Sequence, residues 1–454
     1  MKICIIGGGS GGYSAALLAA KGHHEVILIE KDKIGGTCLH KGCIPTKSFL
    51  ADSAFISHSY QAKESGLFEN ICDYNGSVIL ENKDKTVNQL HENLVKLISQ
   101  HKIEVIHDEA YFVDEFTVQT KHTHQTIQAD RFIIATGSYP AMLPFATPSD
   151  TIWTSDDCFL MIPSKKENII IIGGGVIGLE LATFYRQLQH SVTIIEAEKQ
   201  CALTFDQQAI TQLTQLMKKQ GITILTSAMV TNIKDNECVV SIKETSTRIP
   251  FDRCIIAIGR KANVESLNLE QANITHHKTI DTNDNFQTNH PHIYAIGDVT
   301  GKSWLAHGAS AMAKAVITHI ETNKPSKPLL IPSVIYSSPA VAMVGVSAQQ
   351  AKEQNLDVNV IKVPITSNGM HLIYQQQRGF ISLIIDKNQI PIGATVFSIE
   401  AAEIINVITL AILNKVPLKE CSNIIFAHPS FSEPLKDVFN EPLDQAVYSL
   451  YKGR

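Results

Sequence analysis

Two of the nine cysteines in this 454-residue chain have a spacing that suits redox chemistry. Cys38 and Cys43 lie in the stretch Gly35-Gly-Thr-Cys-Leu-His-Lys-Gly-Cys-Ile-Pro-Thr-Lys47. Five residues of straight α-helix rise about 7.5 Å, whereas the Cα atoms of a disulfide usually lie roughly 4.4–6.8 Å apart. A bond between the two cysteines therefore requires a distorted turn, which Gly42 permits and Pro45 favours. A short, strained link of this kind is typical of a labile disulfide rather than a structural one.

A metal site and ordinary packing are the competing interpretations of this pair. Zinc needs two more ligands at suitable spacing, and His40 is the one candidate nearby, so no metal site is expected. Nine cysteines in a chain this long also do not indicate the disulfide framework of a small secreted domain. The other seven are scattered and are expected to be packing residues: Cys4, Cys72, Cys158, Cys201, Cys238, Cys254 and Cys421.

An internal repeat predicts the elements that position these cysteines. Residues 3–12, Ile-Cys-Ile-Ile-Gly-Gly-Gly-Ser-Gly-Gly, are echoed by residues 169–178, Ile-Ile-Ile-Ile-Gly-Gly-Gly-Val-Ile-Gly. Each copy predicts a buried parallel strand that runs through G-x-G-x-x-G into a helix. In each copy a second apolar strand follows and ends in glutamate, 23 residues after the first glycine. The repeat therefore predicts two dinucleotide-binding units.

The glycines and the glutamate of each copy are the candidate dinucleotide ligands. The glycines permit a tight turn, the approach of a pyrophosphate to the helix N-terminus, and close helix–strand packing, while the acid accepts hydrogen bonds from ribose hydroxyls. These residues are Gly7, Gly9, Gly12 and Glu30 in the first copy and Gly173, Gly175, Gly178 and Glu196 in the second. Because no arginine follows Glu196 before residue 248, no clamp for an extra phosphate is evident, and NAD is favoured over NADP.

The length and the repeat predict an α/β protein of several domains. A second echo joins residues 130–137 and 252–259, each a possible later strand of its unit. A third related run, residues 292–298, has no partner and follows the second copy, which indicates that the second unit is inserted into the first. We expect a Rossmann-like unit at 1–146 and 264–325, a second one at 147–263, and a C-terminal α+β domain at 326–454.

The composition narrows the choice of partners and compartment. A formal net charge of -5 gives no electrostatic case for binding nucleic acid or an anionic membrane. No apolar run reaches the roughly 18 residues that a membrane span needs. A strand-like run that starts at Lys2 also disfavours a signal peptide, which favours the cytoplasm.

Together these motifs resemble the pyridine nucleotide–disulfide oxidoreductases, over essentially the whole chain. The resemblance implies that the first unit binds FAD, that the second binds NAD, and that the last domain is a dimerisation interface. It also implies that Cys38 exchanges with a substrate disulfide or dithiol and that Cys43 faces the flavin. Lys47 matches a lysine near the flavin ring, and Glu180 is its expected partner close to the nicotinamide.

Further positions match backbone or side-chain contacts of the family to its cofactors. On the FAD side they are Lys31, Gly36, Thr37, Ala110, Thr136, Gly137, Ser138, Asp298, Leu305, Ala306 and His307. On the NAD side they are Val230 and Gly259, in addition to the second glycine motif and Glu180.

The segment Ala427-His-Pro-Ser-Phe-Ser-Glu433 resembles the His-Pro-x-x-x-Glu signature of the family. The resemblance implies that His428 is the general acid/base for the dithiol and that Glu433 holds its imidazole in one tautomer. It further implies a two-fold homodimer in which this pair acts on the disulfide of the neighbouring subunit.

Within the family, the match is closest to members that oxidise a dihydrolipoyl group, carried on an acyltransferase or a small lipoyl protein, with NAD. A glutathione-type reductase is disfavoured by Glu196 and Gly178, and a mercuric-type reductase by the lack of any cysteine after Cys421. An idle flavin- and NADH-binding protein is the alternative from another class, and the intact set of redox residues argues against it. Four positions depart from the family pattern: Phe426, Ala340, Met312 and Ala313.

Overall fold

The computed structural model describes residues 1–71, 73–243, 245–376 and 378–443. The chain forms two compact units, Met1–Lys165 with Ile255–Leu329, and Lys166–Cys254 with Leu330–Arg454. Each unit therefore consists of two separate stretches of the chain. The domain limits expected from the sequence stay predictions, and Cys72, expected to be a packing residue, lies outside the described residues.

The described residues form 23 strands and 12 α-helices. The strands are β1 (Lys2–Ile6), β2 (Glu25–Ile29), β3 (Glu104–Ile106), β4 (Ala110–Asp114), β5 (Thr117–Thr120), β6 (Thr126–Gln128), β7 (Arg131–Ile134), β8 (Ser138–Pro140), β9 (Ile152–Thr154), β10 (Asn168–Ile172), β11 (Ser191–Ile195), β12 (Ile222–Leu225), β13 (Ala228–Lys234), β14 (Glu237–Ile242), β15 (Thr245–Pro250), β16 (Arg253–Ile256), β17 (Arg260–Ala262), β18 (Ile293–Ala295), β19 (Ser333–Ile335), β20 (Ala340–Gly345), β21 (Val358–Pro364), β22 (Phe380–Asp386) and β23 (Pro391–Ser398). The helices are α1 (Ser10–Lys21), α2 (Gly36–His40), α3 (Cys43–Glu64), α4 (Gly76–Gln100), α5 (Val176–Gln187), α6 (Gln207–Lys219), α7 (Ala306–Thr322), α8 (Ala348–Glu353), α9 (Gly369–Ile373), α10 (Ala401–Leu413), α11 (Leu418–Cys421) and α12 (Pro434–Asn440).

The first unit is built on a parallel five-stranded sheet with the order β18-β7-β1-β2-β3. Both faces of the sheet are buried, which explains why β1 is apolar from Ile3 to Ile6. Ile3 and Ile5 pack with helices α1 and α7, whereas Cys4 and Ile6 pack with the strands β4 and β5. The chain continues to β2 on one side of β1 and to β7 on the other, so the carboxyl end of β1 is a point where the strand order reverses. Open α/β sheets bind ligands at such points.

The second copy of the repeat has the same local structure. Strands β10, β11 and β12 lie side by side and parallel, and α5 follows β10 as α1 follows β1. Gly7 and Gly173 have φ values of +102° and +105°, which favour glycine. A Cβ on Gly12 would lie 1.7 Å from the Gly7 carbonyl oxygen, and one on Gly178 would lie 2.0 Å from that of Gly173. Close packing of helix against strand therefore requires glycine at both third positions.

The C-terminal stretch forms a five-stranded antiparallel sheet with the order β19-β20-β23-β22-β21. Helix α10 packs on this sheet through Ile404, Ile405 and Ile408, which are at most 2% exposed. The structure confirms the predicted class: two Rossmann-like units, each with neighbouring parallel strands, and an α+β C-terminal domain.

Candidate active site

The distorted turn expected between the two cysteines is a break between two helices. Helix α2 ends at His40, and α3 begins at Cys43. Between them Lys41 (φ −140°) and Gly42 (φ −152°, ψ −106°) leave the helical conformation. Pro45 lies in the first turn of α3, where the missing N–H has no helical acceptor to lose. The start of α3 is stabilised by the Thr46 hydroxyl, which donates to the Gly42 carbonyl at 2.7 Å.

Cys38 and Cys43 are present as two thiols that form a hydrogen bond to each other. This hydrogen bond and burial raise the pKa of Cys38, while the Ser10 hydroxyl and the Lys47 ammonium oppose the rise. Lys47 lies one helical turn beyond Cys43, so both side chains point to the same side of α3. The pair therefore has a hydroxyl donor and a cation beside it, which are the groups that stabilise a thiolate.

His40 lies between the two cysteines in the sequence, and its ring forms a hydrogen bond with a backbone carbonyl. Its Nε2 is 2.9 Å from the Ile34 carbonyl oxygen, and Nδ1 of His91 in α4 is 3.0 Å from the same oxygen. The two rings meet edge to face at 5.1 Å. Burial lowers the pKa of His40. Among the described residues, no three histidine, cysteine or acidic side chains are placed to hold a metal ion.

The redox turn is attached directly to the first glycine loop. The Gly35 N–H donates to the Gly8 carbonyl at 2.9 Å. Gly36 has φ +59°, and a Cβ there would lie 2.6 Å from the Gly9 Cα. Only glycine allows this approach. The first residues of α2, Gly36 and Thr37, therefore lie against the loop that is expected to hold a pyrophosphate.

The two glutamates make matching hydrogen bonds at the strand ends. Glu30 accepts the N–H of Gly8 at 2.5 Å and that of Asp32 at 2.8 Å. Glu196 accepts the N–H of Gly174 at 2.6 Å and that of Glu198 at 2.8 Å. Each carboxylate thus fixes its glycine loop and keeps lone pairs for a ribose diol.

The second glycine of each motif faces open space in front of the helix that follows it. Apart from its neighbours in the chain, a Cβ on Gly9 would come no closer than 3.9 Å to another residue, and one on Gly175 would meet none within 4 Å. Both glycines precede the first turn of a helix of 12 residues, whose N–H groups suit a phosphate. A cavity of about 50 Å³ beside Glu30 also brings together expected FAD contacts: Gly7, Lys31, Ala110 and Thr136.

Asp298 lies in a half-buried polar network that includes one residue not expected from the sequence. The Ser138 hydroxyl donates to the Asp298 carboxylate at 2.5 Å. Arg260 donates to the Ser138 hydroxyl at 2.8 Å and to Asp156 at 2.9 Å. Burial raises the pKa of Asp298, although Ser138 and Arg260 oppose the rise. Arg260 directly follows Gly259, one of the expected nucleotide contacts, and that adjacency was its only sequence signal.

The other expected cofactor contacts are mostly backbone positions at turns and element ends. Gly137 has φ +69° and its carbonyl accepts the Asn263 N–H at 2.9 Å. Leu305 caps α7, with Ala306 and His307 in its first turn. Gly259, with φ +121°, accepts the Ala141 N–H at 3.0 Å. Val230 is a buried residue of β13.

Glu180 is a buried acid in α5, 5% exposed. Its Oε1 accepts the backbone N–H of Tyr336 at 3.0 Å. This hydrogen bond, between two residues of the second unit, holds the Glu180 side chain in one orientation. Its pairing with Lys47 stays a prediction.

His428 and Glu433 form a hydrogen-bonded pair in the loop before α12. The distance from His428 Nδ1 to Glu433 Oε1 is 2.7 Å, and the Ser430 N–H donates to Glu433 Oε2 at 2.8 Å. Burial of Glu433 is outweighed by these donors, so its pKa lies below the usual range. An ionised carboxylate can only accept, so the neutral imidazole has its proton on Nδ1 and leaves Nε2 as a base. The imidazole side chain is 81% exposed in the single chain and can be reached from outside.

The four departures from the family pattern are packing positions. Phe426 packs in the C-terminal core near Phe439, with ring centroids 6.5 Å apart. Ala340 is a buried residue of β20. Met312 and Ala313 are buried in α7, and the Met312 sulfur accepts the Gly297 N–H at 3.2 Å. None of them removes a group from the sites described above.

Comparisons with known proteins agree with this arrangement. Residues 1–313 match the family model described as pyridine nucleotide-disulphide oxidoreductase, and residues 331–439 match the dimerisation domain of the same family. No helix among the described residues is long and apolar enough to cross a membrane.

Relatives of known name match over nearly the full length. The dihydrolipoyl dehydrogenase of Chlamydia pneumoniae is 34% identical over 94% of this chain and 94% of its own. That of Geobacillus stearothermophilus is 31% identical over 99% of this chain and 97% of its own. The structure of LpdA from Mycobacterium tuberculosis has a TM-score of 0.90 at 22% identity, covering 97% of this chain and 99% of its own, and supports the fold. The HOCl-induced flavoprotein disulfide reductase RclA from Escherichia coli has a TM-score of 0.85 at 25% identity, with the same coverage. These findings confirm the resemblance inferred from the motifs, and the chain belongs to the pyridine nucleotide-disulphide oxidoreductase family.

Proposed function

We propose that this chain is an NAD-dependent dihydrolipoyl dehydrogenase that uses FAD. The observation that carries the proposal is the Cys38–Cys43 thiol pair, which spans a helix break packed on the first glycine loop. A bond between two cysteines only five residues apart closes too short a loop to stabilise the fold much, so the position of the pair at the expected pyrophosphate loop favours a redox role. The names of the relatives above support the dihydrolipoyl substrate, and NAD and FAD are the cofactors we assign to the two glycine motifs.

In the reaction, the substrate dithiol is oxidised to a disulfide and NAD is reduced to NADH, with release of one proton. A substrate thiolate attacks the sulfur of Cys38 in the oxidised Cys38–Cys43 pair, so the protein S–S bond breaks and Cys43 leaves as a thiolate. The second substrate thiol then attacks the substrate sulfur of the mixed disulfide and releases Cys38. Bound FAD supplies the two-electron path from the reduced cysteine pair to NAD.

The protein contributes proton transfer and charge stabilisation. We assign to His428 Nε2 the removal of a proton from the substrate thiol, since Nδ1 is occupied by Glu433. Lys47 stabilises the thiolate that the exchange leaves, which agrees with its effect on the pKa of Cys38. Glu180 is proposed to face the nicotinamide side with Lys47.

We further propose a homodimer in which His428 serves the redox turn of the second copy. The match of residues 331–439 to a dimerisation domain supports this assembly. The same stretch exposes apolar side chains that a monomer would leave in water: Leu410 is 63% exposed, Leu413 64% and Ile425 96%. A lipoyl-bearing acyltransferase or lipoyl protein is the proposed substrate carrier, and the cytoplasmic location stays a prediction.

The function is tested by steady-state assays of the purified protein. Lipoamide, glutathione disulfide and mercuric ion are compared, each with NADH and with NADPH. We expect lipoamide with NADH to give by far the highest kcat/KM, and dihydrolipoamide to reduce NAD in the reverse assay. A preference for glutathione disulfide with NADPH would contradict the proposal.

The choice of NAD is tested at Glu196. In Glu196→Ala the ribose diol loses its acceptor, so we expect kcat/KM for NADH to fall roughly 10- to 100-fold while that for NADPH changes much less. Glu198→Gln is the matched control: its side chain is exposed and its backbone N–H, which Glu196 binds, is retained. Equal losses with both nucleotides would show that Glu196 only supports the loop.

A further inference from the structure

The loop that holds His428 is supported by one residue from a distant part of the chain. Asn368 caps the short helix α9, and its Oδ1 accepts the His371 backbone N–H at 3.2 Å. Its Nδ2 donates to the Ser430 carbonyl at 3.2 Å, and the side chain also forms a hydrogen bond with Glu433 that lowers the pKa of that acid. A single carboxamide therefore contacts the backbone of the loop and the carboxylate that orients His428.

The orientation of this carboxamide is fixed by a buried histidine. His371 is fully buried, and its Nδ1 is 2.7 Å from Asn368 Oδ1. A carboxamide oxygen can only accept, so His371 must donate from Nδ1 and keep Nε2 as an acceptor. The Ser398 hydroxyl, 2.8 Å from Nε2, is then the donor on that side.

His371 remains neutral under ordinary conditions and so keeps this tautomer. Burial lowers its pKa to about 4. The Ser398 oxygen is occupied in turn by the Glu400 N–H at 3.3 Å. The ring also meets Phe431 of the same loop edge to face at 5.1 Å. His371 therefore acts on the loop between His428 and Glu433 through its hydrogen bond to Asn368 and through its contact with Phe431.

We propose that Asn368 and His371 are positioning residues for the proton transfer assigned to His428, an inference that rests on the proposed dithiol reaction. The Nδ1–H of His371 holds the Asn368 oxygen, which turns the amide N–H groups toward Ser430 and Glu433. These donors keep Glu433 ionised and aimed at His428 Nδ1. In the neutral ring of His428 the proton is thereby held on Nδ1, which leaves Nε2 as the nitrogen that can accept a proton from a thiol.

Asn368→Asp separates this role from a structural one. Aspartate keeps the oxygen that caps α9 and accepts from His371, and it caps helices as well as asparagine does. It removes the amide donors and places a second carboxylate beside Glu433, which disfavours ionisation of both. We expect kcat for dihydrolipoamide oxidation to fall roughly 10- to 100-fold, the usual range for loss of a hydrogen bond to a charged group.

Two further measurements decide the outcome. NADH-dependent reduction of ferricyanide needs the cofactor sites but no thiol proton transfer, so it is expected to stay within about twofold of the wild type. His371→Leu should show the same split between the two assays, and His371→Asn, which keeps a donor near the Nδ1 position, should recover most of the dithiol activity. Equal losses in both assays, or wild-type dithiol activity in Asn368→Asp, would overturn the inference.

A measurement without turnover separates this inference from the proposed function. In ¹⁵N-histidine-labelled protein, at a pH where the ring is neutral, NMR shows which nitrogen of His428 and of His371 has the proton. We expect Nδ1–H for both in the wild type and a mixture of tautomers for His428 in Asn368→Asp. An unchanged His428 tautomer in that variant would overturn the positioning role even if dihydrolipoamide proved not to be the substrate. A wild-type protein with the expected tautomers but no dihydrolipoamide oxidation would contradict the proposed function alone.

Discussion

In Cys43→Ser the rate of dihydrolipoamide-dependent NAD reduction is expected to fall at least about 1,000-fold, since no disulfide can form with a serine oxygen. Cys38→Ser is expected to lose as much, because Cys38 is the sulfur that the substrate attacks. The two thiols contact each other across the break between α2 and α3, so each is placed to form the disulfide with the other. The assay follows NADH formation at 340 nm with saturating dihydrolipoamide.

The loss should be confined to the dithiol chemistry. Both variants should bind FAD and reduce ferricyanide with NADH, because the glycine loops and Glu30 are unchanged. Cys238→Ala is the matched control: Cys238 is fully buried in β14, and its replacement should change the dithiol activity by less than about threefold. Substantial dihydrolipoamide oxidation by either serine variant would show that the pair is not part of the reaction.

The second large effect is expected at His428. In His428→Gln, the base for the substrate thiol is lost, and kcat with dihydrolipoamide should fall about 10²- to 10⁴-fold. Raising the pH should recover part of this rate, because the substrate thiol then ionises without a protein base. The wild type should gain much less from the same change.

An exposed histidine elsewhere serves as the control for this variant. His23→Gln lies in the turn after α1, outside both glycine loops, and should behave as the wild type. Gel filtration of His428→Gln checks that the assembly is unchanged. A variant with the wild-type pH profile and a wild-type rate would remove His428 from the mechanism.

The local parts of the site were predictable because the sequence signal and the structure lie in the same short stretch. Gly42 and the spacing of the two cysteines predicted a distorted turn, and the chain leaves the helical conformation at Lys41 and Gly42. The glycine motifs likewise predicted strand, turn and helix twice. Their matching geometry at Gly7 and Gly173 follows from the same steric requirement in each copy.

The groups that support the site could not be found in this way. Asn368 and His371 reach the loop of His428 from about 60 residues earlier in the chain, and no motif joins the two segments. Arg260 reaches Ser138 only because β17 pairs with β8. Single polar residues of this kind resemble ordinary surface residues in a sequence, since their partners are set by tertiary packing.

The most direct test of the central claim follows the oxidation state of the two cysteines. The protein is sampled as isolated in air, after one equivalent of dihydrolipoamide under nitrogen, and again after NAD is added. Each sample is denatured in a thiol label, and the peptide of residues 35–47 is examined by mass spectrometry. Cys38 and Cys43 should be protected, then labelled, then protected again. Thiols that stay labelled, or stay protected, in all three samples while NADH forms would contradict the proposed cycle.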